Sequence, residues 1–148
     1  KQDGEILDFR QFDDSQHEAS INDVEAAVDY LKRKNASKIS IAGASIGANL
    51  ALQYQSEHAE IEKTVLLSAG LNYRGVLTEP AAKKLSSSQE VFLAAGTMDG
   101  NTYETANRLA SLIKGRKEIE IYNASSHGTD LFDVDSSLIN KLVDWLKS

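Results

Sequence analysis

The sequence has 148 residues, of which 41% are apolar and none is cysteine, so a disulfide framework and thiolate chemistry are excluded. Its 16 Lys and Arg and 22 Asp and Glu give a formal charge of −6, which argues against a broad polyanion-binding surface because phosphate contacts need clustered basic residues. The longest basic cluster is Lys32-Arg33-Lys34, and no stretch approaches the length of an apolar membrane helix. We therefore expect a single globular domain over residues 1–148, with neither a nucleic-acid partner nor a membrane span.

Short β-branched apolar segments alternate with longer segments of helical periodicity, which is typical of a parallel sheet with crossover helices. The three middle predicted strands are nearly continuous apolar runs, as expected where helices cover both faces, whereas the first and last suit sheet edges. Five strands are predicted at residues 5–9, 38–42, 64–68, 91–95 and 118–122. Helices are predicted at residues 22–34 with Ser20 as N-cap, after residue 45 to about 57, at 103–114 and at 137–147, with a short one near 80–85.

The segment Gly43-Ala44-Ser45-Ile46-Gly47 has the pattern G-x-S-x-G where a predicted strand meets a predicted helix. The turn is so short that we expect a strained backbone at Ser45, with Gly43 and Gly47 removing side chains that would clash. Such a turn places the serine hydroxyl beside the positive end of the following helix, which favours a nucleophile. A tightly packed glycine-rich turn and a phosphate cradle are the alternative interpretations, although the lysine of a P-loop is absent.

A serine nucleophile needs a base, and His127 is the best placed of three histidines. It follows the fifth predicted strand, at the edge of the sheet where Ser45 is also expected. His17 precedes the first predicted helix, and His58 ends the second, where a capping role is usual.

The base in turn needs a carboxylate to orient it, and Asp99 directly follows the fourth predicted strand. The alternative role of Asp99 is an Asx turn or a helix cap. Asp130 and Asp133 are rival carboxylates close to His127 in sequence, but they are expected in the approach to the last helix.

Ser45, Asp99 and His127 occur in this chain order, each after its own strand, and in this respect the sequence resembles the α/β-hydrolase superfamily. The segment DFRQFDDS at 8–15 is similar to the family's D-x-R-G-x-G-x-S loop, with Gln11 and Asp13 in place of its two glycines. The segment at 68–75 resembles the small dienelactone-hydrolase-like and acyl-esterase branch. Over residues 5–147 the resemblance implies an α/β-hydrolase fold that is truncated at its N-terminus and has no lid domain.

The resemblance further implies that three strands and one helix of the fold, about 60 to 90 residues, precede this segment. In the family that region donates one N–H of the oxyanion hole, so the backbone N–H of Ile46 is the donor that this sequence retains. We expect an upstream segment to complete the sheet, and homo-oligomerisation is the alternative. We favour a cytoplasmic location, with a processed extracytoplasmic form as the alternative because the sequence begins at Lys1.

The expected function is hydrolysis of a carboxylic ester or thioester through an acyl-enzyme on Ser45, with the Ile46 N–H facing the oxyanion. The twenty or so residues after the third predicted strand are too few for a lid, so we expect an open site for a small acyl substrate. Tyr73, Leu77 and Met98 are candidates for lining it. No cofactor or metal is implied, because the carboxylates and histidines are scattered.

Two other interpretations use the same sequence. One is a hydrolase-like domain that no longer catalyses and serves in binding or assembly, because the upstream oxyanion loop is absent. The other is a flavodoxin-like or receiver-type domain, which also has five strands but which Asp8 alone supports poorly.

Overall fold

The computed structural model of the chain describes residues 8–148. In chain order its helices and strands are α1 (Asp14–Ala19), α2 (Ile21–Arg33), β1 (Ile41–Ala44), α3 (Ile46–Glu57), β2 (Lys63–Leu67), β3 (Asn72–Tyr73), β4 (Val76–Leu77), α4 (Glu79–Lys84), β5 (Glu90–Gly96), α5 (Thr102–Leu112), β6 (Lys117–Tyr122), α6 (Leu131–Val134) and α7 (Leu138–Lys147). Short 3-10 helices occupy Phe9–Gln11 and Gly128–Asp130.

The central sheet has the strand order β1-β2-β5-β6 among the described residues, and all three pairings are parallel. These are four of the five predicted strands, and the parallel α/β class is confirmed. Of the remaining predicted strand, residues 5–7 lie outside the described part, and Phe9 begins a 3-10 helix that the Asp8 side chain caps. The strand predicted at 38–42 is β1, shifted toward Ala44 because its ladder with β2 begins at Ile41.

Helices cover both faces of the sheet, as predicted. α3, α4 and α5 pack around Leu66 and Leu93 on one face, whereas α6 and α7 pack around Val65 and Phe92 on the other. The ring of Trp145 from α7 meets the fully buried Phe92 edge-on, with 5.6 Å between the ring centroids. Burying a side chain of this size is worth about 1.5–3 kcal/mol. Because β2 and β5 are buried on both faces, their sequences are continuous apolar runs.

The N-terminal helices differ from the prediction at their start. A capping box of Asp13 and Gln16 begins α1, a helix that the sequence analysis did not predict. Ser20, the predicted N-cap, directly follows α1 and therefore has a helical backbone conformation. Its side chain makes no capping hydrogen bond to α2. The predicted helix itself is present as α2, which packs Val28 against Tyr54 of α3.

A two-stranded antiparallel ribbon, β3 paired with β4, was also missed, since only a short helix was predicted between residues 70 and 89. Its two-residue turn consists of Arg74 and Gly75, with φ of 50° and 84°, as in the turns that suit tight hairpins. Strands of two residues are too short to show an alternating pattern. The predicted short helix is present as α4.

The turn from β1 into α3 is built on one glycine rather than two. A Cβ added at Gly43 would lie 2.2 Å from the carbonyl oxygen of Gly47, so the turn needs glycine there. A Cβ added at Gly47 would have nothing within 4 Å among residues 8–148. The expectation that both glycines avoid a clash is therefore wrong for Gly47 within residues 8–148, because the space that its side chain would occupy is open.

A polar cluster fastens the start of α7 to β6. The Asp135 carboxylate accepts hydrogen bonds from the Ser137 N–H at 2.9 Å, from the Tyr122 hydroxyl at 3.2 Å and from the Lys141 ammonium at 3.3 Å. The hydrogen bonds from Ser137 are the largest cause that lowers the pKa of Asp135 to about 2. Burial is the largest cause that raises the pKa of Tyr122, to about 12.

The two glycines of the turn should respond in opposite ways to alanine. Gly43→Ala should lower the free energy of unfolding by about 2 kcal/mol, because overpacking a tight contact costs about 1–3 kcal/mol. Gly47→Ala should leave it unchanged or raise it by up to about 1 kcal/mol, because alanine is the better helix former. Urea unfolding followed by circular dichroism measures both. Equal effects of the two substitutions would contradict the asymmetry of the turn.

Asp135→Asn should lower the melting temperature at pH 7. Because the pKa of Asp135 falls from an ordinary 3.8 to about 2 in the folded protein, its stabilisation is complete above about pH 4 and is lost as the pH falls toward 2. The difference in melting temperature between the two proteins should therefore shrink over that range. Asp133→Asn, which changes an exposed carboxylate of α6, is the control and should match the unsubstituted protein at every pH.

Candidate active site

The carboxyl ends of the four parallel strands lie at one edge of the sheet, and the loops that follow them hold the candidate residues. Backbone hydrogen bonds continue the sheet by one residue beyond the strands, so the loops that follow begin side by side at the same edge. They run from the N–H of Ser45 to Leu67 O at 2.9 Å, from Ser68 to Ala94 O at 2.8 Å and from Thr97 to Tyr122 O at 2.8 Å.

Ser45 is the single residue between β1 and α3. Its φ of 54° and ψ of −127° are rare for a residue with a side chain, and they confirm the strained conformation that the short turn predicts. Ile46 is the first residue of α3, so its N–H belongs to the first helical turn, where the helix itself supplies no acceptor. A group beside Ser45 therefore meets the positive end of a twelve-residue helix.

Asp99 lies in the turn between β5 and α5, with 13% of its side chain exposed. The buried Thr102 hydroxyl is 2.9 Å from the Asp99 carbonyl oxygen and 3.1 Å from its Oδ2. Thr102 thus ties the carboxylate to the first turn of α5. The sequence analysis missed this threonine, although a threonine three residues after an aspartate at a helix start is a signal for such a local bond.

His127 is paired with Asp99. The Nδ1 atom of the ring lies 2.8 Å from Oδ2 and 2.9 Å from Oδ1 of the carboxylate. Because an ionised carboxylate only accepts hydrogen bonds, the pair favours the tautomer with the proton on Nδ1, and in that neutral tautomer Nε2 carries the lone pair that can accept a proton. The rivals Asp130 and Asp133 are exposed, and within residues 8–148 neither bonds to this ring.

Close backbone approach brings the Asp99 and His127 loops together. The Met98 N–H donates to the Ala124 carbonyl at 3.0 Å across the two loops. A Cβ added at Gly96, the last residue of β5, would lie 2.5 Å from the same carbonyl oxygen. The absence of a side chain at Gly96 therefore lets the two loops meet.

The loop of His127 returns across the sheet from β6 toward β1. The N–H of Gly128 donates to the Ser68 hydroxyl at 2.8 Å, at the end of β2. A Cβ added at Gly128 would lie 3.3 Å from the Ala44 Cβ, next to Ser45 in the chain. No hydrogen bond joins the Ser45 hydroxyl to the His127 ring among the described residues, so the structure places the two at one edge without bonding them.

Tyr73 of β3 borders the paired residues. Its ring meets the His127 ring edge-on, with 6.3 Å between centroids, and its hydroxyl donates to the Ser68 carbonyl at 3.4 Å. Burial, with a smaller effect of the Asp99 charge, raises the pKa of Tyr73. A cavity of about 370 Å³ opens here and is lined by Tyr73, Asp99 and residues of their loops.

The other two candidates for lining the site, Leu77 and Met98, do not line this cavity. Leu77 lines a larger cavity of about 480 Å³ between α2, α3 and α4, which contains none of the three candidate catalytic residues. Met98 directly precedes Asp99 in the turn after β5 and is 60% exposed. Leu77 lies in β4 and Met98 in the turn after β5, and the sequence analysis predicted the conformation of neither segment.

The remaining histidines have ordinary packing contacts. His17 lies within α1 rather than before the first helix, and its ring meets Phe12 edge-on at 5.6 Å. His58 caps the end of α3 and stacks on Tyr54 at 3.9 Å.

Over residues 8–148, no group of three or more His, Asp or Glu side chains is placed to hold a metal ion. No helix in that range has the length and apolar character needed to cross a bilayer.

Comparison with known proteins identifies the architecture. No family model and no curated protein matches the sequence. The structure is similar to the esterase Pf2001 from Pyrococcus furiosus, with a TM-score of 0.70 and 17% identity over 86% of this chain and 60% of that one. It is also similar to Est1E from Butyrivibrio proteoclasticus, with a TM-score of 0.64 and 16% identity over 86% of this chain and 70% of that one.

An acylaminoacyl peptidase from Pyrococcus horikoshii matches over 75% of this chain and 24% of its own, with a TM-score of 0.54 and 12% identity. All three of these proteins are α/β-hydrolase fold members. The chain spans 60% of the length of the P. furiosus esterase, so it corresponds to part of that protein. At such identities the likeness concerns the fold, and the resemblance noted in the sequence is confirmed at that level: the chain has the α/β-hydrolase fold.

Proposed function

We propose that the chain is the catalytic part of a serine hydrolase that cleaves carboxylic esters or thioesters through an acyl-enzyme. The observation that carries this proposal is the pairing of His127 Nδ1 with the Asp99 carboxylate at the sheet edge where Ser45 is held in a strained turn. A hydroxyl nucleophile, an imidazole with a free Nε2 and an orienting carboxylate are the groups that acyl transfer needs.

The proposed reaction has two halves. The Ser45 Oγ attacks the carbonyl carbon while the His127 Nε2 takes the hydroxyl proton, and the carbonyl oxygen becomes an oxyanion facing the Ile46 N–H. The bond to the alcohol or thiol then breaks as His127 returns the proton to the leaving group. Water, deprotonated by His127, next attacks the acyl carbon, and the bond to the Ser45 Oγ breaks as His127 returns the proton to that oxygen, which releases the acid and restores Ser45.

The cavity beside Tyr73 supports a small substrate. Its volume of about 370 Å³ and its position against Asp99 suit a compact acyl or alcohol group rather than a long chain. Among residues 8–148, no charged side chain other than Asp99 lines it, which favours an uncharged group there. We therefore propose a small ester or acyl compound as substrate.

A hydrolase-like binding or assembly domain is the second candidate. It is favoured by the lack of a Ser45–His127 hydrogen bond among the described residues and by the single oxyanion donor assigned, the Ile46 N–H. Removing one such donor from a serine hydrolase costs about a hundredfold to a thousandfold in turnover. The outer edge of β1, unpaired within residues 8–148, is where we propose that further chain or a second copy completes the sheet.

An active-serine phosphonate probe should label the chain at Ser45, because the probe reacts only with a hydroxyl that a base activates. Intact mass and peptide mapping give the extent and the site of labelling. Ser45→Ala is the control and should abolish it, whereas Ser125→Ala, which changes an exposed serine two residues before His127, should not. A folded chain that stays unlabelled would favour the binding domain, and labelling that persists in Ser45→Ala would remove the nucleophile assignment.

Asp99→Asn should slow labelling and the hydrolysis of p-nitrophenyl acetate by about a hundredfold or more, because the imidazole would lose the group that holds its proton on Nδ1. The second-order rate constant of labelling is the measurement. Asp130→Asn is the matched control, since this exposed carboxylate lies three residues from His127 and should leave the rate within about twofold of the unsubstituted chain. If Asp130→Asn slowed labelling and Asp99→Asn did not, Asp130 rather than Asp99 would be the carboxylate that orients His127.

A further inference from the structure

Ser68, at the end of β2, resembles Ser45 in backbone conformation but has a different environment. Its φ is 51°, again in the left-handed region that residues with side chains seldom adopt. Unlike Ser45, its side chain is completely buried, with 0% exposed. A buried serine held in this conformation needs contacts that keep it there.

Two of its three contacts lead toward His127, and the third fixes it to the sheet. The Ser68 Oγ accepts the Gly128 N–H at 2.8 Å, across sixty residues of sequence. The Ser68 carbonyl accepts the hydroxyl of Tyr73, whose ring lies against the His127 ring. The Ser68 N–H donates to Ala94 on β5, which fixes the serine to the sheet.

The other backbone contacts fix His127 less directly. Its carbonyl accepts the Asp130 N–H at 3.1 Å, which joins it only to its own loop, and the Met98 N–H reaches that loop three residues earlier, at Ala124. Its side chain is 42% exposed, so packing alone does not determine where the ring lies. The Asp99 carboxylate fixes the rotation of the ring, but one hydrogen bond at Nδ1 leaves the distance from Nε2 to Ser45 to be set by the backbone. That backbone is anchored at the next residue, Gly128, which is itself buried and bonded to Ser68.

We propose that Ser68 is a positioning residue for His127. By accepting the Gly128 N–H, its buried hydroxyl fixes the peptide that joins His127 to Gly128, and so holds the imidazole at the edge of the sheet where Ser45 lies. Without the Ser68 hydroxyl, the buried Gly128 N–H would have lost its hydrogen-bond acceptor. The His127 loop would then move so that this N–H could bond to water. The effect on reactivity rests on the proposed hydrolase function, whereas the effect on the placement of the ring does not.

The experiment compares two buried hydroxyls in the 148-residue chain, one within β2 and one directly after it. Ser68→Ala keeps the Cβ and removes the acceptor. Thr64→Val, at the other end of β2, removes a fully buried hydroxyl whose Oγ1 has no hydrogen-bond partner among residues 8–148. Circular dichroism identifies a temperature at which all the proteins are folded.

Two readouts separate positioning from general stability. The first is the imidazole ¹⁵N and ¹H NMR signals of His127, with His17 and His58 as internal references. The second is the second-order rate constant for the active-serine phosphonate across pH. In Ser68→Ala the His127 signals should shift and broaden while the other two histidines stay unchanged, and labelling should slow by about ten- to a hundredfold, since a displacement of about 1 Å can cost a hundredfold. Thr64→Val should match the unsubstituted chain in both.

Unchanged His127 signals and labelling in folded Ser68→Ala would overturn the proposal, as would equal losses in Thr64→Val. If Ser68→Ala does not fold, Ser68→Gly replaces it, because glycine accepts the left-handed backbone and still lacks the hydroxyl. If the unsubstituted chain is not labelled, the hydrolase proposal fails, and the NMR comparison alone decides the role of Ser68.

Discussion

The polarity of the parallel sheet is the constraint on which the candidate site depends. Parallel pairing brings the carboxyl ends of β1, β2, β5 and β6 to one edge, and hydrogen bonds just past the strands keep the loop starts level. Side chains far apart in sequence, such as Ser45 and His127, therefore emerge on the same side of the molecule. If β6 ran antiparallel, His127 would lie at the opposite edge and could not reach a serine that follows β1.

The two halves of the site are held by different physical means. A strained backbone between a strand and the helix that follows it presents Ser45, and the hydrogen bond from its N–H to Leu67 fixes that turn to β2. The Asp99 and His127 pair depends on loops from two neighbouring strands, which come together because Gly96 has no side chain between them. The link between the halves is the His127 loop, which crosses β5 and β2 in the sheet order and is anchored at Ser68. Any catalysis by the site depends on that loop.

The elements that could be predicted are those with a repeated pattern. The buried strands β2 and β5 are continuous apolar runs, and α7 repeats Leu138, Leu142 and Trp145 on one face. The missed elements, α1 and the β3–β4 ribbon, are too short for a periodic signal and form through local groups, the capping box at Asp13 and the positive-φ turn at Gly75. The predicted cap at Ser20 was wrong because an unpredicted helix precedes it.

The sequence alone determined that Ser45 would stand in a strained turn and that His127 would follow a strand at the same edge, since both depend on neighbouring residues and on strand direction. Only the tertiary structure decided that Asp99, rather than Asp130 or Asp133, bonds to His127, and that Ser68 holds the next peptide. Local conformation depends on a residue and its neighbours. Contacts between loops instead depend on the distances between those loops in the folded sheet. Strand pairing sets these distances, and they cannot be predicted from a local sequence pattern.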